Sequence, residues 1–512
     1  MTPQILIVGA GPSGLVLALN LARQGVAFRI VDKGEGPGAT SRALAVHART
    51  LEFYRQLGIA DRIVEAGILL DHFDLRVKGR KVAMAPLGAM GQGISPYPFI
   101  LGLPQDVHEQ ILIETLASLG ITVERRTALT GFTQLATGVR ATLHGPAGEE
   151  TLEVEYVAGC DGASSAVRHQ LGIGFPGGTY DQVFFVADVD AEGDLPDNAL
   201  TVSLNSEGFC LVLPVRQTGA QRVIGMVPQA REKQESFTFE DVALEAARDT
   251  GLTIGKLHWF STYHVHHRVA ESFRVGRVFL AGDAGHIHSP AGGQGMNTGI
   301  GDAMNLAWKL SAVVKGQAKS EILDTYVQER MAFAQVLIAT TDRAFRFVAT
   351  RAWWGSLWRT LVVPYLAAVL TRLKPVLRFA FRTVSQTAIE YRDSKLSSGG
   401  AGQVKAGDRL PWVESAANDA PLTARDWQIH VYGEAGEPLG AAAGDLPIHA
   451  FAWSDALGAA GFARDAIYLV RPDGYIGFAT LGQSESACRA LQDYLKRWGI
   501  RGVSQEDPSS RT

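Results

Sequence analysis

The beginning of the chain alternates apolar runs with a glycine-rich break, which predicts a strand, a helix and a second strand. Residues 4–8 are apolar, residues 9–14 include three glycines, and residues 15–23 have the composition of a helix. A second apolar run, residues 27–31, follows Gly25 and ends at Asp32. This order is typical of a βαβ unit in a parallel sheet that is buried on both faces.

Further along, the pattern changes twice. Residues 153–158 predict another buried strand, whereas residues 182–228 alternate apolar and polar positions in short runs that predict antiparallel hairpins. Residues 277–281 return to a buried strand, and residues 299–314 predict a helix. We therefore expect a Rossmann-like α/β domain that is discontinuous in sequence, with an antiparallel β-sheet domain inserted into it.

The last part of the chain predicts helices and then a small α/β domain. Residues 343–389 hold eight Arg or Lys and no acid, which favours helices covering the α/β domain over helices that touch a membrane or a partner. Gly399, Gly400 and Gly402 predict a linker, followed by strands at 426–431 and 466–470 and a helix at 484–498. The predicted domains are 1–175 (with 71–102 contributing to the inserted sheet), 176–269, 270–398 and 399–512.

Composition removes several function classes. A length of 512 residues suggests about three domains at ~150 residues each. The net charge of −4 gives no reason to expect nucleic acid as a partner. Three distant cysteines exclude a disulfide framework and a cysteine-rich metal site. The apolar start lacks a basic leader and basic residues interrupt 357–381, so we expect a cytoplasmic protein without a membrane span.

Three motifs carry the chemistry. Gly9, Gly11 and Gly14 form a GxGxxG pattern between a strand and a helix, with Asp32 at the end of the next strand, which is typical of dinucleotide binding. Asp161 begins the run DGASSAVR and Asp283 lies in the run GDAGH, each after a predicted buried strand. Because ligands bind at the carboxyl ends of parallel strands, the three motifs together favour one long dinucleotide across a single crevice.

These motifs, and above all the run from Gly282 to Asn297, resemble those of the class A flavoprotein monooxygenases, the para-hydroxybenzoate hydroxylase superfamily. The resemblance is greatest to the branch of phenol hydroxylase and the aromatic polyketide hydroxylases. It implies non-covalent FAD and, after residue 399, a thioredoxin-like C-terminal domain, here without CxxC. The cofactor-binding residues that it implies are Gly9, Gly11, Gly14, Asp32, Lys33, Arg42, Gln105, Asp161, Asp283, Gly293, Gly295, Met296 and Asn297.

Residues near the substrate are less constrained by the sequence. We expect Arg216, Tyr263 and His47 closest to it, with Pro290 of the flavin motif beside them. His286 and His288 are interpreted first as scaffold histidines of that motif. His264, His266 and His267 have strand-like spacing and no acidic or cysteine partner nearby, so we expect no metal site.

The resemblance implies an FAD-dependent aromatic monooxygenase. NADPH or NADH would reduce FAD, O₂ would add to it as a C4a-hydroperoxide, and a phenolic or polyketide-like ring would be hydroxylated. The expected partners are the aromatic substrate, O₂ and NAD(P)H, with the chain a monomer or homodimer. An antibiotic-inactivating flavin monooxygenase, a flavin dehydrogenase or reductase, and a non-enzymatic flavin-binding module remain alternatives.

Overall fold

The computed structural model describes residues 2–38, 43–196, 198–206, 208–215, 219–229, 231, 237–289, 291–349 and 353–502. Arg42, Arg216 and Pro290, three of the predicted site residues, lie outside these ranges. The first part contains strands β1 (Ile5–Val8), β2 (Phe28–Val31), β3 (Ala45–Val46), β4 (Ile68–Leu70), β5 (His72–Val77), β6 (Arg80–Pro86), β7 (Ile100–Gly102), β8 (Ala128–Gln134), β9 (Val139–Gly145), β10 (Gly148–Val154) and β11 (Tyr156–Gly159). Its helices are α1 (Pro12–Arg23), α2 (Ala48–Gln56), α3 (Ala60–Ala66), α4 (Leu87–Gly91), α5 (Gln105–Ser118) and α6 (Ala166–Gln170).

The middle of the chain contains the strands of the inserted sheet and then a series of helices. The strands are β12 (Gly177–Glu192), β13 (Ala199–Leu204), β14 (Phe209–Pro214), β15 (Gln221–Met226), β16 (Thr253–Val269), β17 (Arg274–Val275), β18 (Val278–Leu280) and β19 (His286–Ile287). The helices are α7 (Glu240–Thr250), α8 (Gly295–Val314), α9 (Asp324–Tyr326), α10 (Ala332–Ala349), α11 (Trp353–Leu357), α12 (Val363–Leu370) and α13 (Lys374–Val384).

The C-terminal unit has a mixed six-stranded sheet flanked by helices. Its strands are β20 (Ser398–Ala401), β21 (Val404–Lys405), β22 (Gln428–Tyr432), β23 (Ile448–Phe451), β24 (Ile467–Val470) and β25 (Ile476–Thr480), in the order β21-β20-β25-β24-β22-β23. Its helices are α14 (Glu437–Ala443), α15 (Asp455–Ala459) and α16 (Glu485–Trp498). The thioredoxin-like assignment of this unit stays a prediction.

A five-stranded sheet organises the α/β unit, in the order β17-β18-β11-β1-β2. Strands β18, β11, β1 and β2 run parallel, and β17 adds an antiparallel edge. Helices α1 and α8 cover it with apolar side chains that are almost wholly buried. The predicted βαβ unit and the discontinuous α/β domain are therefore confirmed, because β18 joins the sheet only after the inserted sheet.

The inserted sheet has eight strands in the order β19-β16-β12-β15-β14-β13-β5-β6. Most neighbours are antiparallel, but β13 pairs parallel with β5, so the expectation of a purely antiparallel sheet is wrong at this junction. The strands also exceed the short runs predicted, since β12 has 16 residues and β16 has 17. Apolar residues of one face pack on α7, and those of the other face pack on α12 and α13.

Three predicted boundaries need correction. Residues 153–158 are not one strand: Val154 ends β10, which pairs with β9, and Tyr156 begins the parallel strand β11. Helix α8 begins at Gly295, one turn before the predicted start. Gly399 and Gly400 are not a linker, because they form β20 and pair with β25 and β21. Among the described residues, every helix is too short or too polar to cross a bilayer.

Candidate active site

The three motifs meet at one edge of the five-stranded sheet. They follow β1, β11 and β18, which are adjacent in the sheet and parallel, so their carboxyl ends lie together. The backbones come so close that side chains would not fit. A Cβ on Gly9 would lie 2.3 Å from the Cys160 carbonyl oxygen, and one on Gly282 would lie 2.4 Å from Ser13 Oγ. Glycine is therefore required where these motifs touch.

The first motif forms a cradle, made of the uncapped N-terminus of α1 and the open space beside Gly11. Helix α1 starts at Pro12, and no described side chain caps its N-terminus. Asp32 accepts hydrogen bonds from the backbone N–H groups of Ala10 and Gly34, both at 2.7 Å, which fixes the turn. A Cβ built on Gly11 would meet nothing within 4 Å. An uncapped helix N-terminus beside open space fits the pyrophosphate of a dinucleotide.

Asp161 shapes the second motif. Its carboxylate accepts from Ser165 Oγ at 2.6 Å and from the Val167 N–H at 3.2 Å, which holds the start of α6. Arg168, in turn, is buried and donates to the Ala284 carbonyl at 3.0 Å. The second and third motifs are thus tied together by a side chain to which the sequence assigned no role.

The third motif rests on a buried charge network. Asp302 of α8 accepts from the Gly282 N–H at 3.0 Å, from His286 Nε2 at 2.8 Å and from Arg330 Nε at 2.6 Å. Although burial opposes ionisation, Arg330 and His286 hold the pKa of Asp302 below its usual value. His286 is therefore a satisfied scaffold residue. Desolvation by the surrounding protein raises the pKa of Asp283, which lies just after β18.

Asn297, in the first turn of α8, joins two separate parts of the chain. Its side-chain oxygen accepts from the His47 N–H at 2.9 Å and from Thr50 Oγ1 at 2.8 Å. Its side-chain nitrogen donates to the carbonyls of Ala45 and Gly293, both at 2.9 Å. The amide is therefore fully used within the protein, and it fixes the start of α8 against β3 and α2.

Three buried polar atoms near this turn have no partner among the described residues: His47 Nδ1, His288 Nε2 and Ser289 Oγ. His47 Nε2 lies 2.8 Å from the Gly292 carbonyl and His288 Nδ1 lies 2.8 Å from the Ser289 carbonyl. Because a carbonyl only accepts, these ring nitrogens carry the protons and the opposite nitrogens are bare acceptors. Burial lowers the pKa of both imidazoles to about 4, so they are neutral at neutral pH.

An apolar wall adjoins His47. It combines the sheet face opposite α7 with β3, α2 and α13, and Ala45 and Ala48 continue it up to His47. Its residues include Ala45, Ala48, Phe73, Leu200, Leu211, Leu213, Ile224, Leu377, Phe381 and Val384. Such a wall with a few fixed polar atoms is the usual construction of a small-molecule site.

The other predicted site residues are spread around the crevice. Lys33 is exposed at the end of β2, and Gln105 begins α5 with its amide donating to Glu109 at 2.7 Å. Gly295 begins α8, and a Cβ on it would lie 3.7 Å from His288 Nε2. Tyr263 is half-buried on β16 beside Phe184, on the sheet face that packs on α12. It belongs to a different apolar cluster from the wall.

Two buried residues were missed by sequence reasoning. Gln386 adopts a left-handed φ of 61° and donates to Gln294 Oε1 at 3.0 Å and Thr298 Oγ1 at 2.8 Å, against the first turn of α8. His108 lies with Nδ1 3.3 Å from the Met296 sulfur. Both come from segments without a motif, so no local signal pointed to them.

Comparison with known proteins decides the family. A family model described as an FAD binding domain matches residues 2–341. The chain belongs to this FAD-binding family. The residues present fit the cofactor: Gly11 and α1 offer the phosphate cradle, and the unpartnered atoms at α8 offer polar contacts to a flavin.

Several relatives of this chain are named as monooxygenases. The chain is 36% identical over 417 residues to 6-methylpretetramide 4-monooxygenase of Streptomyces rimosus, covering 80% of this chain and 74% of that one. It is 32% identical to rifampicin monooxygenase of Streptomyces venezuelae, covering 76% and 79%. OxyS anhydrotetracycline hydroxylase from Streptomyces rimosus superposes with a TM-score of 0.78 at 28% identity, over 98% and 100%. The predicted family is confirmed, and the chain is an FAD-dependent monooxygenase.

Proposed function

We propose that this monooxygenase hydroxylates a fused polycyclic phenol, with NADPH as electron donor and O₂ as oxidant. Two relatives named for tetracycline-type substrates, one of them aligned over the full chain, support the substrate class. The apolar wall supports it as well, because a flat multi-ring substrate buries much apolar surface and needs few polar contacts.

The observation that carries the proposal is the pair of neutral imidazoles near the first turn of α8, of which His47 also adjoins the wall. His47 Nδ1 and His288 Nε2 are acceptors held in place by carbonyls, and no described residue donates to them. A buried acceptor left unpaired costs about 1–3 kcal/mol, so each site is built for a donor from outside the protein. We assign His47 to the phenol hydroxyl and His288 to the flavin side.

The bound FAD would supply the activation of O₂ that the side chains themselves lack. Around it, Asp32 and the α1 N-terminus would hold the adenosine half, and Asn297 would keep α8 directed at the ring system. His47 would accept the hydrogen bond of the phenol and draw electron density into the ring. The apolar wall would exclude water from the reacting atoms.

NADPH would dock transiently, since the sequence contains no second strand–GxGxxG–helix unit for it. The crevice side of Asp161 and Arg168, next to the FAD cradle, is where we place its approach. Asp161 would act there through the loop that it shapes, because both of its carboxylate oxygens are already bonded within the protein.

The test is a substrate panel with the FAD-loaded chain. NADPH oxidation is followed with tetracyclic phenols, simple phenols and rifampicin, and products are checked for a mass gain of one oxygen. We expect coupled hydroxylation with a tetracyclic phenol. Turnover confined to rifampicin would overturn the substrate class in favour of an antibiotic-inactivating enzyme, and NADPH oxidation yielding only peroxide with every compound would overturn hydroxylation itself.

Two variants test the assigned histidine. We expect His47→Asn to lower kcat at least ~10-fold, a barrier change of ~1.4 kcal/mol, and to keep FAD bound. The matched control is His144→Asn, since His144 is exposed on β9 in a separate three-stranded sheet. Equal kcat for His47→Asn and the control would remove His47 from the mechanism.

A further inference from the structure

The helices after α10 cover the wall side of the inserted sheet. Val363 and Ala367 of α12 pack on the cluster that contains Phe184 and Tyr263, and Phe381 of α13 packs on the cluster that contains Leu213. One side of each helix is thus used inside the protein. The opposite side of α12 faces away from every described part of the chain.

This outer side is apolar, whereas the solvent-facing side of a surface helix is usually polar. Leu361 is 64% exposed and Tyr365 is 75% exposed, and Leu366 and Val369 are exposed beside them. Leu361 lies in the helical turn just before α12, and positions 361, 365 and 369 are four residues apart, so they form one continuous stripe along this turn and α12. Leu357 and Trp358 extend it at one end and Leu373 at the other, and Val362 is exposed beside Leu361. Exposed stripes of this kind mark interaction surfaces.

The charged residues of the segment that carries the stripe are all positive. No Asp or Glu occurs between residues 343 and 389. Arg372, Lys374, Arg378 and Arg382 are exposed, and none of them forms an ion pair with a described residue. Four cations without counter-charges, next to exposed leucines and a tyrosine, complement a surface that is negatively charged outside and apolar beneath.

We propose that this outer helical face, formed by Leu361, Tyr365, Leu366 and Val369 with the cations from Arg372 to Arg382, binds the surface of an anionic lipid bilayer. The helix would lie in the plane of the interface, with the stripe in the acyl boundary and the cations at the headgroups. A second copy fits less well. A twofold contact would bring together two copies of a face whose charges are all positive, and no acidic residue of the face would offset them.

Position in the fold gives the binding a direction. The outer helical face lies on α12, whose inner side packs on the sheet face that leads to the apolar wall. Docked in this way, the chain would turn the α12 side of its inserted sheet towards the lipid and its α7 side towards the solvent. This inference stands on the exposed face alone and does not depend on the substrate proposed above.

The test uses the full FAD-loaded chain and sedimentation with vesicles. We expect binding to vesicles of equal parts phosphatidylglycerol and phosphatidylcholine at low salt, weaker binding at ~0.5 M salt, and little binding to phosphatidylcholine alone. The double variant Leu361→Ser/Tyr365→Ser and the double variant Arg372→Glu/Lys374→Glu should each lower the partition coefficient at least ~10-fold, a difference of ~1.4 kcal/mol. Leu244→Ser is the matched control, because Leu244 is 73% exposed on α7, at the opposite face of the sheet.

A second measurement does not depend on lost binding. Leu366→Cys carrying an environment-sensitive dye should shift to the blue on the anionic vesicles, and Leu244→Cys with the same dye should not. No binding of the wild-type chain to anionic vesicles overturns the proposal. Binding that the stripe variants leave unchanged also overturns it, because the chain would then adsorb by charge alone. A dimer that the stripe variants abolish overturns it too and assigns the face to a second copy.

Discussion

Asp473 accepts a hydrogen bond from the indole N–H of Trp308 at 3.0 Å, which links the C-terminal unit directly to the helix that starts at the candidate flavin site. Asp473 lies in the turn between β24 and β25, and Trp308 is buried in α8. Arg49 of α2 donates to the carbonyl of the same aspartate at 2.8 Å. One turn therefore contacts both helices whose first turns meet at Asn297.

Arg471, in the same turn, should be among the most costly residues to remove. It donates to both oxygens of Glu329, at 2.8 and 2.9 Å, and all of these groups are buried. Although burial opposes ionisation, Arg471 and Lys309 hold the pKa of Glu329 well below its usual value. Arg471→Met removes one of the positive charges that neutralise the Glu329 carboxylate. We expect the free energy of unfolding to fall by about 3–5 kcal/mol, seen as a lower unfolding midpoint in urea.

Its control is Arg464→Met, which removes an exposed arginine 3.7 Å from Asp465. That change should cost less than ~1 kcal/mol. If the two variants unfold at the same urea concentration, the turn is not anchored as described.

Gly11→Ala should separate cofactor binding from folding. Its Cβ would meet no atom of the chain within 4 Å, so the chain should fold with a normal melting temperature when free of FAD. The methyl group would fill the cradle at α1, and we expect the Kd for FAD to rise at least ~10-fold by titration. Gly440→Ala, also without a neighbour within 4 Å but in the C-terminal unit, is the control and should bind FAD normally. A Gly11→Ala chain with unchanged FAD affinity would refute the cradle.

His108 should make stability depend on pH. Burial lowers its pKa to about 4, whereas an unfolded imidazole titrates near ~6.5. Between these values only the unfolded chain takes up the proton, so stability is full above ~6.5 and falls as pH drops towards 4. His108→Gln should reduce the slope of unfolding free energy against pH by about one proton, or ~1.4 kcal/mol per pH unit. An unaltered slope in His108→Gln would contradict the assigned burial.

Flavin reduction should depend on substrate. Gly292 and Gly293 have left-handed φ values of 74° and 62° beside His47, so the loop before α8 is built from residues that tolerate rearrangement. We expect NADPH to reduce the flavin at least ~10-fold faster when the substrate that the enzyme hydroxylates is present, a barrier difference of ~1.4 kcal/mol. Anaerobic stopped-flow absorbance of the flavin measures the rate of reduction, and an analogue that the enzyme does not hydroxylate is the control. Equal rates would show that substrate does not gate reduction.

Local patterns predicted the parts of the fold whose cause is local. The β1–α1–β2 unit and β18 follow from apolar runs and glycine breaks, and the structure places them within a few residues of the prediction. Pairing between distant segments was not visible. Gly399 was assigned to a linker because its partner strand, β25, comes about eighty residues later in the sequence. The parallel junction of β13 with β5 was missed for the same reason.

The candidate site shows the same division. The glycines and aspartates of the three motifs act through their own backbone turns, so their spacing alone located the cradle. Gln386 and His108 act through contacts with α8 that only the folded chain creates. Asn297 was expected to line the flavin, yet its amide proved to be fully bonded to β3, α2 and its own turn.

The contact of the β24–β25 turn with α2 and α8 also constrains how the chain can be made. Arg49 and Glu329 are buried, and their partners in the turn, Asp473 and Arg471, are synthesised 424 and 142 residues after them. Until those partners are made, the nascent chain carries the charged side chains of Arg49 and Glu329 in an incompletely folded interior, a state that chaperones would recognise. A ribosome stalled before residue 470 should therefore hold a protease-sensitive chain, and a protease-resistant form should appear only once β24 and β25 emerge.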